Sequence, residues 1–181
     1  MKDSKASIAT GKFALAEVNA WDQAAFTQHI GPVFEHSPWI AENTWARRPF
    51  AAVSALHQAL CETVSGSSEQ RKLDLIRAHP DLVGRAALAG TLTSASTKEQ
   101  SSAGLDRLTP EEIAAFQNFN QAYREKFGFP FVICARLNKK EAILEGFRKR
   151  LNHTPQEEIK TALQEIGKIA HLRLADLIKA E

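Results

Sequence analysis

The stretch TPEEIAAFQNFNQAYREKFG, residues 109–128, decides the fold class of this chain. It begins with Thr109 as a side-chain cap, Pro110 at the first helical position and Glu112 two residues later, which is the pattern of a helix start. Phenylalanine and tyrosine side chains then recur at helical spacing until Gly128 ends the segment. The stretch therefore predicts one long amphipathic helix.

The rest of the chain agrees with an all-α protein. A second stretch of the same kind, TPQE at residues 154–157, predicts the start of the last and longest helix. The 181 residues include 28 alanines and only six valines, and alanine favours helices whereas valine favours strands. We predict a single compact domain of seven to nine helices over residues 19–181, with Asn19 capping the first. Residues 1–18 are expected to form a flexible N-terminal arm.

One apolar segment does not fit a helix. Pro130 lies within the apolar run at residues 129–135, and a proline removes a hydrogen bond and clashes inside a helix. We therefore predict one irregular extended segment here that threads the core. Asn138 is expected to cap the helix that follows.

A polar stretch at residues 81–108 also stands out. It is rich in glycine, serine and threonine, and a connection of this length is unusual in a compact helical domain unless it has a function. We expect a short helix over residues 82–89 and another from Thr97 to about Gly104.

Charge and hydropathy exclude several classes of protein. The chain has 23 Lys and Arg and 21 Asp and Glu, so its net charge is only +2. This near balance argues against a protein whose main function is to bind nucleic acid or anionic lipid. No run approaches the roughly 18 apolar residues of a membrane span, and the polar start lacks the apolar core of a secretory signal. We therefore expect no membrane partner, no nucleic-acid partner and a cytoplasmic location.

No metal site is predicted. Cys61 and Cys134 are too few for a disulfide framework or a zinc site, and each lies in an apolar stretch. His29 and His36 are seven residues apart, but a Gly-Pro pair separates them, so they are poor joint ligands.

His79 is the first candidate for chemistry. It precedes Pro80, which forces the helix to end there, so its imidazole projects from a rigid element toward the polar stretch. An unperturbed imidazole titrates near neutral pH and suits proton transfer. The structural alternative is a histidine that stabilises the helix dipole.

Three further side chains could bind an anion or hold a proton. Glu99 follows Ser96 by three residues, and Ser-x-x-Glu is also the pattern of a capping box. Arg136 and Arg173 are candidate anion clamps, although either could be a solvated or ion-paired surface arginine.

Several successive motifs resemble those of one known family, the 2-oxo-4-hydroxy-4-carboxy-5-ureidoimidazoline (OHCU) decarboxylases. The resemblance covers roughly residues 13–178. It is carried by His79-Pro80-Asp81-Leu82-Val83-Gly84, Ser96-Thr97-Lys98-Glu99-Gln100-Ser101-Ser102-Ala103-Gly104-Leu105, Phe119-Asn120 with Tyr123, Phe127-Gly128-Phe129-Pro130-Phe131-Val132-Ile133, Phe34-Glu35-His36-Ser37-Pro38-Trp39 and the stretch from Ile166 to Leu174.

This resemblance implies an all-α homodimer that forms (S)-allantoin and CO2 during urate breakdown, without a cofactor or metal. It implies that His79 is the catalytic acid/base, and we expect Glu99 to assist it. The expected substrate-binding residues are Pro80, Ser96, Thr97, Lys98, Gln100, Phe131, Val132, Ile133, Cys134, Ala135 and Arg173.

The chemistry of such a reaction accounts for the residue types. The C=N bond of the substrate accepts the electrons released with CO2, so the protein need only bind, orient and move protons. A side chain that bound the substrate carboxylate only in the ground state would not speed the loss of CO2. We therefore expect the wall that faces the carboxylate to be less polar than the wall that faces the ureide.

Two other readings of the sequence remain open. One is a helical ligand-sensing or interaction module without catalysis, which would present an exposed apolar helix face rather than an enclosed pocket. The other is a lyase or hydrolase that acts on a different ureide.

Overall fold

The computed structural model describes residues 12–179, which form an all-helical domain. Within that range there are nine α-helices of six residues or more, as predicted, and one of four residues. In chain order they are α1 (Leu15–Ala20), α2 (Gln23–Ile30), α3 (Trp39–Thr44), α4 (Val53–Ser65), α5 (Glu69–Arg77), α6 (Arg85–Leu88), α7 (Ser94–Ser102), α8 (Pro110–Phe127), α9 (Lys140–Arg150) and α10 (Pro155–Leu177). Three 3-10 turns cover Gly31–Val33, Trp45–Arg47 and Ala135–Leu137.

The two long helices begin and end as the sequence predicts. The side chains of Thr109 and Thr154 each accept a hydrogen bond from the third helical residue, and that glutamate accepts one from the cap in return. Gly128 ends α8 in the left-handed conformation, with φ of 75°, which glycine adopts without the steric cost of a side chain. Helix α10 packs against α4 and α5.

The N-terminal boundary needs a correction. Part of the predicted arm, residues 13–18, belongs to the folded domain, because Leu15 and Val18 are buried and Phe13 forms an isolated parallel bridge with Ile178. Residues 1–11 of the predicted arm lie outside the described residues. Apolar side chains thus extend the core into a stretch that lacked clear helical periodicity.

Two predicted caps are also wrong, for the same physical reason. Asn19 does not cap α2, because Asp22 does, and the amide of Asn19 instead exchanges two hydrogen bonds with the backbone of Phe50. Asn138 does not cap α9; its side chain donates to the carbonyl of Cys134. In both cases the side-chain amide binds the backbone of another segment rather than the first turn of the following helix.

The polar stretch is helical over different residues from those predicted. The expected helix over residues 82–89 is reduced to α6, and α7 begins at Ser94 rather than at Thr97. Thr93 caps α7 by accepting a hydrogen bond from the backbone of Ser96. The predicted capping box of Ser96 and Glu99 is therefore wrong, and both residues lie inside the helix.

The extended segment at residues 129–135 is confirmed, and a buried ionic cluster fixes it. Arg150 donates to the carbonyl of Val132 at 2.8 Å and its guanidinium lies over the ring of Phe131. Glu158, which is fully buried, accepts hydrogen bonds from both Arg150 and Tyr123. The segment is thus held by α9 and α10 rather than by pairing with a strand.

This cluster predicts a large difference between two neighbouring arginines. Replacing Arg150 leaves the buried Glu158 without its main counter-ion, so Arg150→Met is expected to lower the free energy of unfolding by about 3 kcal/mol. Arg148 lies two residues away on the exposed side of α9, and Arg148→Met is expected to change it by less than about 0.5 kcal/mol. Urea denaturation measures both, and equal losses would contradict the role given to the cluster.

Candidate active site

A pocket lies where α5, α7, α10 and the extended segment meet. The predicted site residues that line it are His79, Pro80, Ser96, Glu99, Gln100, Phe131, Val132, Ile133, Ala135 and Arg173. Leu82 and Ile169 also line it and were not predicted, because apolar residues at helix ends and on a helix face read as ordinary core. The pocket therefore combines an apolar wall with a small set of ionisable groups.

His79 enters the pocket at the end of α5. Its ring Nδ1 lies 2.9 Å from the carbonyl oxygen of Leu75, and because a carbonyl only accepts, Nδ1 carries the proton. The neutral ring therefore has its free lone pair on Nε2. Burial lowers the pKa of His79 to about 4, although the nearby carboxylate of Glu35 acts in the opposite direction.

Arg173 reaches the pocket from α10 and is held by two carboxylates. Its Nε and Nη2 each donate to Glu99 at 2.8 Å in a bidentate pair. Its Nη1 donates to Glu35 at 3.1 Å. Burial alone would lower the pKa of Arg173, but the hydrogen bonds and charges of Glu99 and Glu35 outweigh it and raise that pKa.

The start of α7 decides which of its residues face the pocket. Because the helix begins at Ser94, the residues Ser96, Glu99 and Gln100 share one face by their spacing of three and four. Thr97 and Lys98 are exposed on the other face and do not line the pocket. Two predicted substrate-binding residues are therefore not brought to it.

Gln100 has a structural task as well as a place in the pocket wall. Its side-chain oxygen accepts a hydrogen bond from the backbone of Val83, a residue with φ of 53°, which is unusual for a β-branched side chain. Its amide nitrogen is the part that remains able to donate to a ligand.

The backbone groups of the extended segment differ in their hydrogen-bond partners. The amide of Cys134 donates to the carboxylate of Glu165 at 2.8 Å, and its carbonyl accepts from Asn138. The side chain of Cys134 does not line the pocket. Within residues 12–179, these contacts and the Arg150 contact do not involve the peptide groups of Ile133, a residue that lines the pocket.

Arg136, the alternative clamp, lies elsewhere. It is bound to Asp176 near the surface, at 2.6 Å between Nη1 and Oδ2, and does not line the pocket. Arg173 is therefore the arginine that the fold brings to His79.

One site residue had no signal in the sequence. Glu35 follows the turn after α2, and the motif around it matched the family without pointing to a role. Its side chain is 3% exposed, and its carboxylate contacts Arg173, Ser96 and Thr93. Its importance shows only once the fold brings residue 35 against α7 and α10.

Comparison with known proteins gives the same assignment as the motifs. The family model described as OHCU decarboxylase matches residues 19–175. The chain belongs to the OHCU decarboxylase family. It is 40% identical over 166 residues to the 2-oxo-4-hydroxy-4-carboxy-5-ureidoimidazoline decarboxylase of Halalkalicoccus jeotgali, covering 92% of each chain. It is 39% identical to the protein of the same name from Mus musculus, covering 92% of this chain and 93% of that one.

Solved structures of similar proteins share the fold. A crystal structure of (S)-allantoin synthase matches with a TM-score of 0.73 at 29% identity, over 92% of this chain and 54% of that one. This chain therefore spans about half of that protein. A structure of OHCU decarboxylase in the presence of (S)-allantoin matches with a TM-score of 0.63 at 24% identity, over 77% and 89% of the two chains, which supports the fold alone.

Two further features of the described residues complete the picture. Within residues 12–179, no helix is both long and apolar enough to cross a membrane. In the same range, no group of three or more His, Cys, Asp or Glu side chains could hold a metal ion.

The burial of His79 predicts a pH-dependent stability. Its folded-state pKa, about 4, lies below the ordinary value near 6.5, so between these values the unfolded chain binds a proton that the folded chain does not. This histidine should therefore cost the protein about 2 kcal/mol of stability as the pH falls from about 8 to about 5.

Urea denaturation of wild type and His79→Gln across this range measures the difference. The variant should lose less stability toward acid than the wild type. Parallel curves for wild type and His79→Gln would contradict the buried, neutral imidazole.

Proposed function

We propose that this protein decarboxylates OHCU to (S)-allantoin and CO2, a step of urate degradation, with His79 as the general acid/base. The observation that supports this most directly is the convergence of His79, Glu99 and Arg173 on one pocket, in a chain of the OHCU decarboxylase family. Each of these groups has a task that the reaction requires.

The substrate supplies its own electron sink. When the bond between the ring carbon and the carboxylate breaks, its electron pair forms a double bond to the ureido-bearing carbon. The former C=N nitrogen takes up the displaced pair and a proton from water. A proton must then reach the ureido-bearing carbon, while the ring hydroxyl loses its proton and becomes a carbonyl. The protein's share of the work is therefore binding, orientation and proton transfer.

His79 is suited to move that proton. The neutral ring offers the Nε2 lone pair, which accepts the proton of the ring hydroxyl, and the resulting imidazolium delivers a proton to one face of the ureido-bearing carbon. The hydrogen bond from Nδ1 to Leu75 keeps the tautomer and the ring plane fixed during this exchange. Because the proton reaches the ureido-bearing carbon from one side only, a single enantiomer of allantoin is formed.

Glu99, Arg173 and the peptide groups of Ile133 bind the ureide side of the substrate. A carboxylate accepts hydrogen bonds from ureido N–H groups, and a guanidinium donates two parallel bonds to a carbonyl or carboxylate. Leu82, Phe131 and Ile169 supply an apolar wall, against which a carboxylate is poorly solvated, and loss of CO2 relieves that burial. We assign no side-chain contact with substrate to Thr97, Lys98 or Cys134.

We also propose that the protein is a cytoplasmic homodimer. A mainly apolar groove of about 810 Å³ lies between α4 and α10, and Leu137 at its edge is 60% exposed.

Light scattering should show a dimer that Leu137→Glu weakens. Leu88→Glu should not weaken it, since Leu88 is 57% exposed but lies outside the groove. A monomeric wild type at micromolar concentration would contradict the proposal.

The catalytic role of His79 predicts a loss of rate that a histidine outside the pocket does not share. With freshly prepared OHCU, His79→Gln is expected to lower kcat by about 10²-fold or more, because a positioned acid/base contributes about that much. His29→Gln, on α2 and outside both this pocket and the proposed dimer groove, is expected to keep kcat within about twofold. Circular dichroism at a wavelength where allantoin absorbs follows the product.

Two outcomes would contradict this proposal in different ways. If wild type does not accelerate the formation of allantoin, the assigned substrate is wrong, and allantoin, allantoate and the hydroxyisourate precursor would be tested as alternative substrates. If His79→Gln reacts as fast as wild type, the substrate stands but the assigned role of His79 is wrong.

A further inference from the structure

Within residues 12–179, every nitrogen of the Arg173 guanidinium already donates to an acceptor of the protein. Its Nε and Nη2 donate to Glu99, and Nη2 also donates to the hydroxyl of Ser96 at 3.5 Å. Its Nη1 faces Glu35 and the carbonyls of Pro32 and Val33 at 3.1–3.5 Å. The volume of the pocket is about 30 Å³, far below the roughly 300–1,000 Å³ of typical ligand pockets. A ureide can therefore enter and meet Arg173 only if one of these contacts is exchanged.

The two carboxylates that hold Arg173 differ in their access to the pocket. Glu99 lines the pocket, together with Ser96 on the same helix, whereas Glu35 does not line it. A ligand in the pocket therefore competes with Glu99 and leaves the contact between Arg173 and Glu35 untouched.

Glu35 is also more firmly anchored than Glu99. Its Oε2 accepts hydrogen bonds from Arg173 and from the hydroxyl of Ser96 at 3.2 Å, and its Oε1 accepts one from Thr93 at 3.1 Å. The side chain of Glu99 is 12% exposed and has Arg173 as its ion-pair partner among the described residues. These contacts keep the carboxylate of Glu35 in place, whereas the carboxylate of Glu99 can exchange Arg173 for a ligand.

We propose that Glu35 is a positioning residue that holds Arg173 from behind, so that Glu99 can release the guanidinium and bind the ureide. While Glu35 is ionised, the charge of Arg173 remains compensated when Glu99 turns away, and the plane of the guanidinium stays fixed. This inference rests on the proposed decarboxylation, because it assigns to Glu35 a task in that reaction.

The charge of Glu35 has a second effect, on His79. Among the described residues, the charges that shift the pKa of His79 are those of Glu35, which raises it, and of Arg173 and His36, which lower it; Glu99 lines the same pocket. Loss of the negative charge at residue 35 should therefore lower the pKa of His79 further, which a purely steric role of Glu35 would not do.

The variant Glu35→Gln tests the proposal because it keeps the size of the side chain and removes its charge. Glu99 then becomes the sole carboxylate on Arg173, so KM is expected to rise by about fivefold or more and kcat/KM to fall by about tenfold or more. When Glu99→Gln is already present, residue 99 has no carboxylate to hold Arg173. Adding Glu35→Gln should then have a much smaller effect on KM and kcat/KM. Thr44→Val, which removes a buried hydroxyl on α3 away from the pocket, should leave KM and kcat unchanged.

The possible outcomes separate this inference from the proposed function. Equal fold-losses in the two Glu99 backgrounds, or an NMR titration in which the pKa of His79 is unchanged by Glu35→Gln, would overturn the role of Glu35 while decarboxylation stands. An inactive wild type would overturn the proposed function instead.

A structure of the wild-type protein saturated with (S)-allantoin gives a test that does not depend on a variant. The contact between Arg173 and Glu35 should persist, and Glu99 should have moved from Arg173 to the ligand. A complex in which Glu99 keeps both bonds to Arg173, or in which the guanidinium leaves Glu35, would overturn the proposal.

Discussion

The ion pairs of the buried Arg173 guanidinium are the contacts on which the rest of the site depends. It joins three parts of the chain that are far apart in sequence, since Glu35 is 138 residues and Glu99 is 74 residues from it. Helix α7 buries Ser96 and Gln100 but no large apolar side chain, so apolar packing cannot be what orients it. The ionic contacts of Arg173 set the face that α7 turns toward the pocket.

A second buried charge fixes the opposite wall. Arg150 and Glu165 hold the backbone of the extended segment from behind, and Glu158 and Tyr123 complete the cluster around Arg150. The pocket thus lies between two rigid polar networks, one around each arginine. This arrangement accounts for an irregular segment and a polar helix inside a protein whose core is otherwise apolar, and it leaves His79 at the end of α5 to face the ligand.

Local signals in the sequence predicted local structure well. The caps at Thr109 and Thr154, the stop at Gly128 and the break at Pro130 depend on residues within one turn of each other, and the structure confirms them. The Ser96–Glu99 pattern misled because a distant arginine, rather than the helix terminus, binds both side chains. Glu35 could not be recognised from the residues around it, since its partners lie on α7 and α10.

The stereochemistry of the product tests the central claim most directly, because it reports on proton delivery inside the pocket. Freshly prepared OHCU is converted by the wild-type protein in deuterated water, and the allantoin is analysed by circular dichroism and NMR before it racemises. The account predicts (S)-allantoin alone, with deuterium on the ureido-bearing carbon. Racemic allantoin, formed at the rate seen without protein, would contradict it.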